Sequence, residues 1–330
     1  MSHKIHAGFL GTGSYLPEKI LTNQDMEKIV ETSDEWIVTR TGIRERHVAA
    51  PNQFTSDMAV EAAKVALADA KLKATDLDLI IVATITPDTP TPATACWVQS
   101  KLGAFQAAAF DLSAACSGFV YGLTVAKAFV ESGTYKHILL IGAEKLTAFI
   151  DWKDRGTCVL FGDGAGATII GPVDEGHHQI LSSFMAANGN EADLLKIPGG
   201  GCRVPSSKES IEQSLHTLKM EGKEIFKTAV KVMSEATLEA AQRAGLKLED
   251  FSLVIPHQAN IRIIQAIGER LKLDPNKLFI NLDKIGNTSA ASVIIALDEA
   301  IKKGRVKKGD HLALVAFGAG TTLASCAVRW

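Results

Sequence analysis

The sequence contains no CxxC pair, and its five cysteines, Cys96, Cys116, Cys158, Cys202 and Cys326, are odd in number and widely separated. That spacing argues against a disulfide framework and against a structural zinc site. Most of the five are expected to be small buried thiols, and no metal is expected. Long hydrophobic runs are also missing. None approaches the roughly 18 to 20 apolar residues needed to span a bilayer. The stretch Met1 to Gly8 shows no charged region, apolar stretch and cleavage site of the secretory kind. A cytoplasmic protein without a membrane partner is the expectation. A basic excess is absent too: 35 Lys and Arg stand against 37 Asp and Glu, for a net charge of -2. A general nucleic-acid binder is therefore not expected, and any anionic partner must be held by a local patch.

What is present is an ordinary globular composition, 46% hydrophobic and 22% charged with 27 Gly and 10 Pro. Disordered, collagen-like and coiled-coil readings fall away. A chain of 330 residues suits about two domains, or one large fold in two halves. Apolar runs at Asp78–Thr84, Ile138–Gly142 and Leu312–Ala316 read as buried strands. Met58–Ala70, Gly118–Val130 and Gly222–Ala244 read as helices, which predicts an α/β fold.

The chain also repeats itself at a constant offset of 174 positions. Leu72-Lys73 meets Leu246-Lys247, and Asp76 to Ile81 meets Asp250 to Ile255. Phe119 to Leu123 meets Val293 to Leu297, and Lys136 to Ile141 meets Asp310 to Val315. One offset without a gap over about 75 residues points to two similar halves about a pseudo-twofold axis, residues 1–175 and 176–330. Between them, Asn188-Gly189-Asn190, Pro198 to Gly201 and Ser206 to Leu218 read as a turn-rich surface excursion.

Three residues stand out chemically. Cys116 lies between a strand-like run and the apolar helix from Gly118. At a helix start, backbone N–H groups and the helix dipole favour thiolate; an inert buried cysteine is the alternative. His257 follows a buried strand directly, at the position the offset pairs with Ala83. Strand ends of this kind open onto ligand crevices, although a structural histidine remains the commoner case. Asn287 precedes the helix that mirrors the one after Cys116. It reads either as a turn asparagine or as an amide donor facing the thiol. Gly162 to Gly166 superficially resembles a dinucleotide fingerprint, but its context is wrong, and it is expected to be a tight turn between elements. Gly11-Thr12-Gly13 is weaker still. Phe317 to Gly320 follows a buried strand and can bring a backbone N–H to a reacting carbonyl.

Together, Ala114-Ala115-Cys116-Ser117-Gly118, His257-Gln258-Ala259-Asn260 and Gly286-Asn287-Thr288-Ser289-Ala290 resemble the β-ketoacyl-acyl carrier protein synthase III family. These are the condensing enzymes that begin bacterial type II fatty acid synthesis. The resemblance runs from Gly11 to Arg329 and includes the specific stretch Asp34 to Arg46. It implies a thiolase-like duplicated αβαβα five-layer sandwich, a homodimer, and no cofactor beyond the coenzyme A thioester substrate. It implies that Cys116 takes the acyl group from acyl-CoA. Malonyl-acyl carrier protein then loses carbon dioxide, and its enolate attacks the acyl-enzyme. His257 and Asn287 would donate to the thioester oxygen, while the backbone amides of Cys116 and Ala319 would form the oxyanion hole. Trp36 and Arg155 would sandwich the adenine, Arg40 would meet the phosphates, and Asn260 the pantetheine arm. Lys227, Arg262 and Arg270 would supply the basic patch for acyl carrier protein; Lys227 and Lys231 also share a helix face, as solvated surface lysines do. Short-chain members place Phe at the bottom of the acyl pocket, lent by the partner subunit, where this chain has Thr91. The smaller residue implies a deeper pocket for longer or branched starters. A Cys-His-Asn thioester hydrolase and a non-catalytic dimeric scaffold are the competing readings. Trp36, Arg40 and Arg155 speak against the first, and the intact Cys116, His257 and Asn287 against the second.

Overall fold

The computed structural model describes residues 4–330. Nine strands make up the main sheet: β1 (His6–Tyr15), β2 (Leu79–Ala83), β3 (Ala108–Leu112), β4 (Ile138–Lys145), β5 (Asp163–Val173), β6 (Gln179–Ala187), β7 (Phe251–Pro256), β8 (His311–Gly318) and β9 (Thr322–Arg329). Their order is β7-β8-β9-β6-β1-β5-β4-β2-β3. β2 runs parallel to β3 and β4, as β7 does to β8, and the remaining pairings are antiparallel. A single residue pair, Gly8 with Gln179, joins the first five-stranded group to the second group of four.

Alternation along the strands sets the layers. Side chains on a strand point to opposite faces in turn. Leu79, Ile81, Ile138 and Leu140 share one core with Leu253, Ile255, Leu312 and Leu314. Two helices fill the space between, α4 (Gly118–Glu131) through Phe119, Val120 and Leu123, and α7 (Ser292–Lys302) through Val293, Ile294 and Leu297. The opposite face of the first group, with Ile80, Val82, Leu139 and Ile141, packs on α2 (Thr55–Ala70) and α3 (Thr94–Leu102). The opposite face of the second group, with Val254, Ala313 and Val315, packs on α5 (Gly222–Ala244) and α6 (Ile261–Leu271), with α1 (Asp34–Thr41) lying against α6. The layers therefore run α, β, α, β, α. Because α4 and α7 are covered on both sides, neither has a polar face.

The 174-residue repeat reappears in the backbone. α2 ends on Lys71 and α5 on Gly245, both left-handed, at φ 55° and 70°. The single 3-10 turns Ala115–Ser117 and Ser289–Ala291 precede α4 and α7. Each opens on a left-handed residue, Ala115 at φ 47° and Ser289 at φ 48°. The segment between the halves forms a 3-10 stretch Gly189–Leu194, a short helix Lys208–Glu212 and the pairing of Leu195–Lys196 with Lys219–Met220.

The glycine-rich loops expected at 162–166 and 11–13 are instead largely strand. Gly164 and Gly166 lie in β5, Gly11 and Gly13 in β1. Their glycines answer to closeness, not to turning. A Cβ on Gly13 would lie 2.5 Å from the Ala66 backbone N and 2.6 Å from the Ala62 O of α2; on Gly166 it would lie 2.4 Å from Ile294 Cγ2 of α7. Gly13→Ala is therefore expected to lower stability by about 1–3 kcal/mol, the usual cost of overpacking, because the obstructing atoms are rigid backbone. Gly189→Ala, with nothing within 4 Å of the added carbon, should stay within about 0.5 kcal/mol of the wild type. Denaturant unfolding of the two variants checks the contrast.

Candidate active site

The two 3-10 turns meet at the middle of the molecule. Gly118 sits so close to the partner turn that a Cβ there would lie 3.6 Å from Ala290 Cβ. One cavity of about 420 Å³ opens beside them, a size usual for small-molecule sites. Its walls are mostly apolar, including Ile85, Leu160, Phe161, Ile225 and Phe317. Cys116, His257, Asn287 and Ala319 all line it, as do Trp36, Arg40 and Asn260.

Cys116 is 7% exposed. The expectation of a thiol made acidic by the helix start is not met: burial pushes its pKa up to about 12, with the nearby Ser289 opposing the rise and the Glu144 charge adding to it. Sulfur in an apolar cavity loses more from missing water than a helix start returns. The backbone here is held by Gly318. A Cβ at that position would lie 2.7 Å from the Cys116 N and 3.0 Å from the Ala114 O, so only glycine lets β8 pass the nucleophile turn.

His257 is buried, and burial lowers its pKa to about 3, so the ring is neutral. Its Nδ1 lies 2.6 Å from Ser292 Oγ, and the Gln258 backbone N–H donates to the same hydroxyl at 3.4 Å. Where the hydroxyl donates to Nδ1, the ring hydrogen lies on Nε2.

Asn287 forms the turn its sequence context allowed. Its Oδ1 accepts from the Ser289 N–H at 2.8 Å, closing an Asx turn. Its own backbone N–H and O pair with the Leu160 O and Gly162 N at 2.9 and 3.0 Å. The carboxamide is thereby fixed with its NH2 end as the donor left for the cavity.

At the cavity mouth, Trp36 is half-buried, with the guanidinium of Arg40 5.5 Å and that of Arg155 5.3 Å from its ring centre. Arg155 lies outside the cavity wall, donating to the Glu31 O at 3.1 Å. Trp36 and Arg155 thus touch each other and leave no gap for a base between them. Asn260 caps α6: its Oδ1 accepts from the Arg262 N–H at 2.9 Å while its Nδ2 donates to the Arg40 O at 3.0 Å. Of the basic residues, Arg262 stacks on Phe226 of the cavity wall at 5.7 Å, Lys227 is paired with Glu224, and Arg270 is exposed at the far end of α6. Thr91 is exposed and does not line the cavity of its own chain.

Ser292 and Glu144 matter here and had drawn no notice in the sequence, while Ser289 and Gly318 stood inside motifs without a role of their own. Ser289 carried a signal, since the offset pairs it with Ala115 beside the nucleophile. Glu144 carried none, because a carboxylate at a strand end ordinarily faces water. Among the described residues, no three His, Cys, Asp or Glu side chains are grouped to hold a metal ion, and no helix is long and apolar enough to cross a membrane.

Comparisons with known proteins converge. Residues 110–189 match the family model described as 3-oxoacyl-[acyl-carrier-protein] synthase III, and 241–330 match its C-terminal counterpart. The chain is 61% identical over 330 residues to the β-ketoacyl-[acyl-carrier-protein] synthase III of Caldanaerobacter subterraneus subsp. tengcongensis, covering 100% of this chain and 99% of the relative. It is 55% identical to that of Clostridioides difficile, over 98% of both chains. Among solved structures, the 3-oxoacyl-[acyl-carrier-protein] synthase III of Aquifex aeolicus VF5 superposes with a TM-score of 0.91 at 49% identity, covering 98% of this chain and 100% of that one. The fold, the cavity and these likenesses agree: the chain belongs to the 3-oxoacyl-[acyl-carrier-protein] synthase III family.

Proposed function

We propose that Cys116, His257 and Asn287 divide between them the two halves of the family's reaction. That reaction joins an acyl-CoA starter to malonyl-acyl carrier protein, giving 3-oxoacyl-acyl carrier protein, CoA and carbon dioxide at the start of fatty acid synthesis. The observation that carries this reading is the convergence of these three side chains, Cys116 from one half of the chain and His257 and Asn287 from the other, on one largely apolar cavity.

In the first half, the Cys116 sulfur attacks the acyl-CoA carbonyl, forming a thioester and releasing CoA. Oxygen becomes anionic in the tetrahedral state. The backbone amides of Cys116 and Ala319, two residues of the cavity wall, are its oxyanion donors. One such donor is typically worth about 2.7–4 kcal/mol of barrier. In the second half, malonyl thioester loses carbon dioxide and charge gathers on its carbonyl oxygen. What helps here is donors, not a base. A neutral His257 with hydrogen on Nε2 and the NH2 of Asn287 supply two. Ser292 and the Asx turn keep each aimed correctly.

Trp36, Arg40 and Arg155 form the adenine and phosphate end of the CoA site. To admit a purine, Arg155 must retreat from the indole by about one ring thickness. The Asn260 cap at α6 leaves its amide a second N–H for the pantetheine arm. The face bearing Lys227 and Arg262, extended by Arg270, is the docking patch for the acidic carrier protein. The protein acts as a cytoplasmic homodimer of two-half subunits divided near residue 175. The partner closes each acyl pocket with a loop carrying Thr91, whose small side chain leaves room for starters beyond acetyl.

Three outcomes follow. Cys116→Ala should show no acyl adduct by mass spectrometry after mixing with acyl-CoA. Asn287→Ala should acylate within a few-fold of the wild type yet release carbon dioxide from malonyl-carrier protein at least about 100-fold more slowly; equal loss of both steps would contradict the division of labour. In an initial-rate panel of acetyl-, isobutyryl- and octanoyl-CoA, turnover of the branched and longer starters is expected, and strict use of acetyl-CoA would remove the role given to Thr91.

A further inference from the structure

Glu144, at the end of β4, is fully buried, and no cation pairs with it among the described residues. Its carboxyl oxygens accept instead from Thr86 Oγ1 at 2.6 Å, Thr84 Oγ1 at 3.2 Å, the Ile85 N–H at 3.2 Å and Ser289 Oγ at 3.1 Å. An ionisable group sealed from water is costly to keep, and here it is kept beside the reacting cysteine. Ser289 lines the same cavity as Cys116 and bears on the electrostatics of its thiol. The Ser289 hydroxyl, hydrogen-bonded to Glu144, thus lies between the carboxyl and the thiol's cavity. The other group near the thiol able to take a proton, His257, already has its Nδ1 engaged by Ser292.

We propose that Glu144 accepts the nucleophile's proton through the hydroxyl of Ser289, as a positioning residue one link removed from the reacting sulfur. The inference rests on the condensing reading for its acyl donor. As Cys116 Sγ bonds to the acyl carbon, its S–H bond breaks and the proton passes to Ser289 Oγ. Ser289 gives its own hydrogen to Glu144 Oε1. Collapse of the tetrahedral state expels the CoA sulfur with its electron pair. Glu144 then returns the proton by the same path to the CoA thiolate, leaving CoA thiol and an ionised carboxylate for the next cycle. Nothing is oxidised or reduced.

Electrostatics suit the role. Burial raises the Glu144 carboxyl to about 7 despite its four donors, near the operating pH where a proton acceptor is most useful. The burial of Cys116 and His257 leaves the thiol at about 12 and the imidazole at about 3. Of the charged neighbours, Lys145 on the same strand bonds the Ala50 and Gln53 carbonyls at 2.9 and 2.6 Å, and Asp163 on β5 takes the Ala49 and Thr147 amides at 2.8 and 3.0 Å. The group that bears on Glu144 from the nucleophile turn is the Cys116 thiol itself.

The test is the rate of Cys116 alkylation by iodoacetamide from pH 6 to 9, followed by mass spectrometry, in the full-length protein. With Glu144 as acceptor, the wild-type rate should rise about tenfold from pH 6 to 8 and then level. Glu144→Gln should remove the levelling, so that the rate climbs about tenfold per pH unit throughout, as for an unassisted thiol. Ser289→Ala should give the same unlevelled profile while leaving Glu144 in place. It is sterically mild, since Ala115 already holds the equivalent left-handed position, and it keeps the test decisive if Glu144→Gln does not fold. Levelling retained in either folded variant, or a wild-type profile that never levels, would overturn the relay. Alkylation needs no CoA. Levelling in a wild type that acyl-CoA fails to acylate would sink the condensing reading and leave the relay standing.

Discussion

Everything in this molecule depends on two left-handed residues, Ala115 and Ser289, held back to back where the halves meet. A non-glycine residue in that conformation is strained, and it persists only where surrounding packing over-determines it. The packing here is the doubly covered pair α4 and α7, each entered through its own 3-10 turn. From that junction one turn presents a sulfur and the other the Asn287 amide and the Ser289 hydroxyl.

Duplication explains why the site lies there and why its halves differ. Each half of the fold ends a buried parallel strand and begins a buried helix at the same point, and β-sheet crevices at strand ends are where ligands collect. The first copy contributes Cys116, the proposed nucleophile. The second contributes the proposed donors, with His257 on the residue after β7. A pocket made from both copies is dry because both flanking sheets are covered. Dryness then fixes the electrostatics: it neutralises His257, raises the thiol and brings Glu144 to near pH 7. The same exclusion of water that makes hydrogen-bond donors effective on an enolate makes the thiol hard to ionise. The Glu144 carboxyl, reached through Ser289, answers that difficulty.

Much of this was legible from the letters. The repeat is an exact backbone feature, from the ends of α2 and α5 to the paired turns, because insertions fell outside the packed elements. The runs around Ile138 and Leu312 read correctly as strands, since residues buried on both faces leave an uninterrupted apolar string. Other features were not legible. The glycines of β1 and β5 looked like turns because sequence shows small size but not the neighbouring helix that requires it. Cys116 looked acidic because the helix start is visible in sequence and the depth of burial is not. Glu144 escaped notice because its four donors come from two distant stretches of chain, Thr84 to Thr86 and Ser289, and only folding assembles them.

The central claim, that imidazole and carboxamide together grip one thioester oxygen beside the sulfur, is tested most directly by isotope-edited infrared spectroscopy. The probe is a malonyl thioester analogue unable to decarboxylate, labelled at its thioester carbonyl and bound to the acylated protein. The account predicts a carbonyl stretch well below its value in water, partly restored in His257→Ala and separately in Asn287→Ala. A frequency unchanged by either substitution would contradict it.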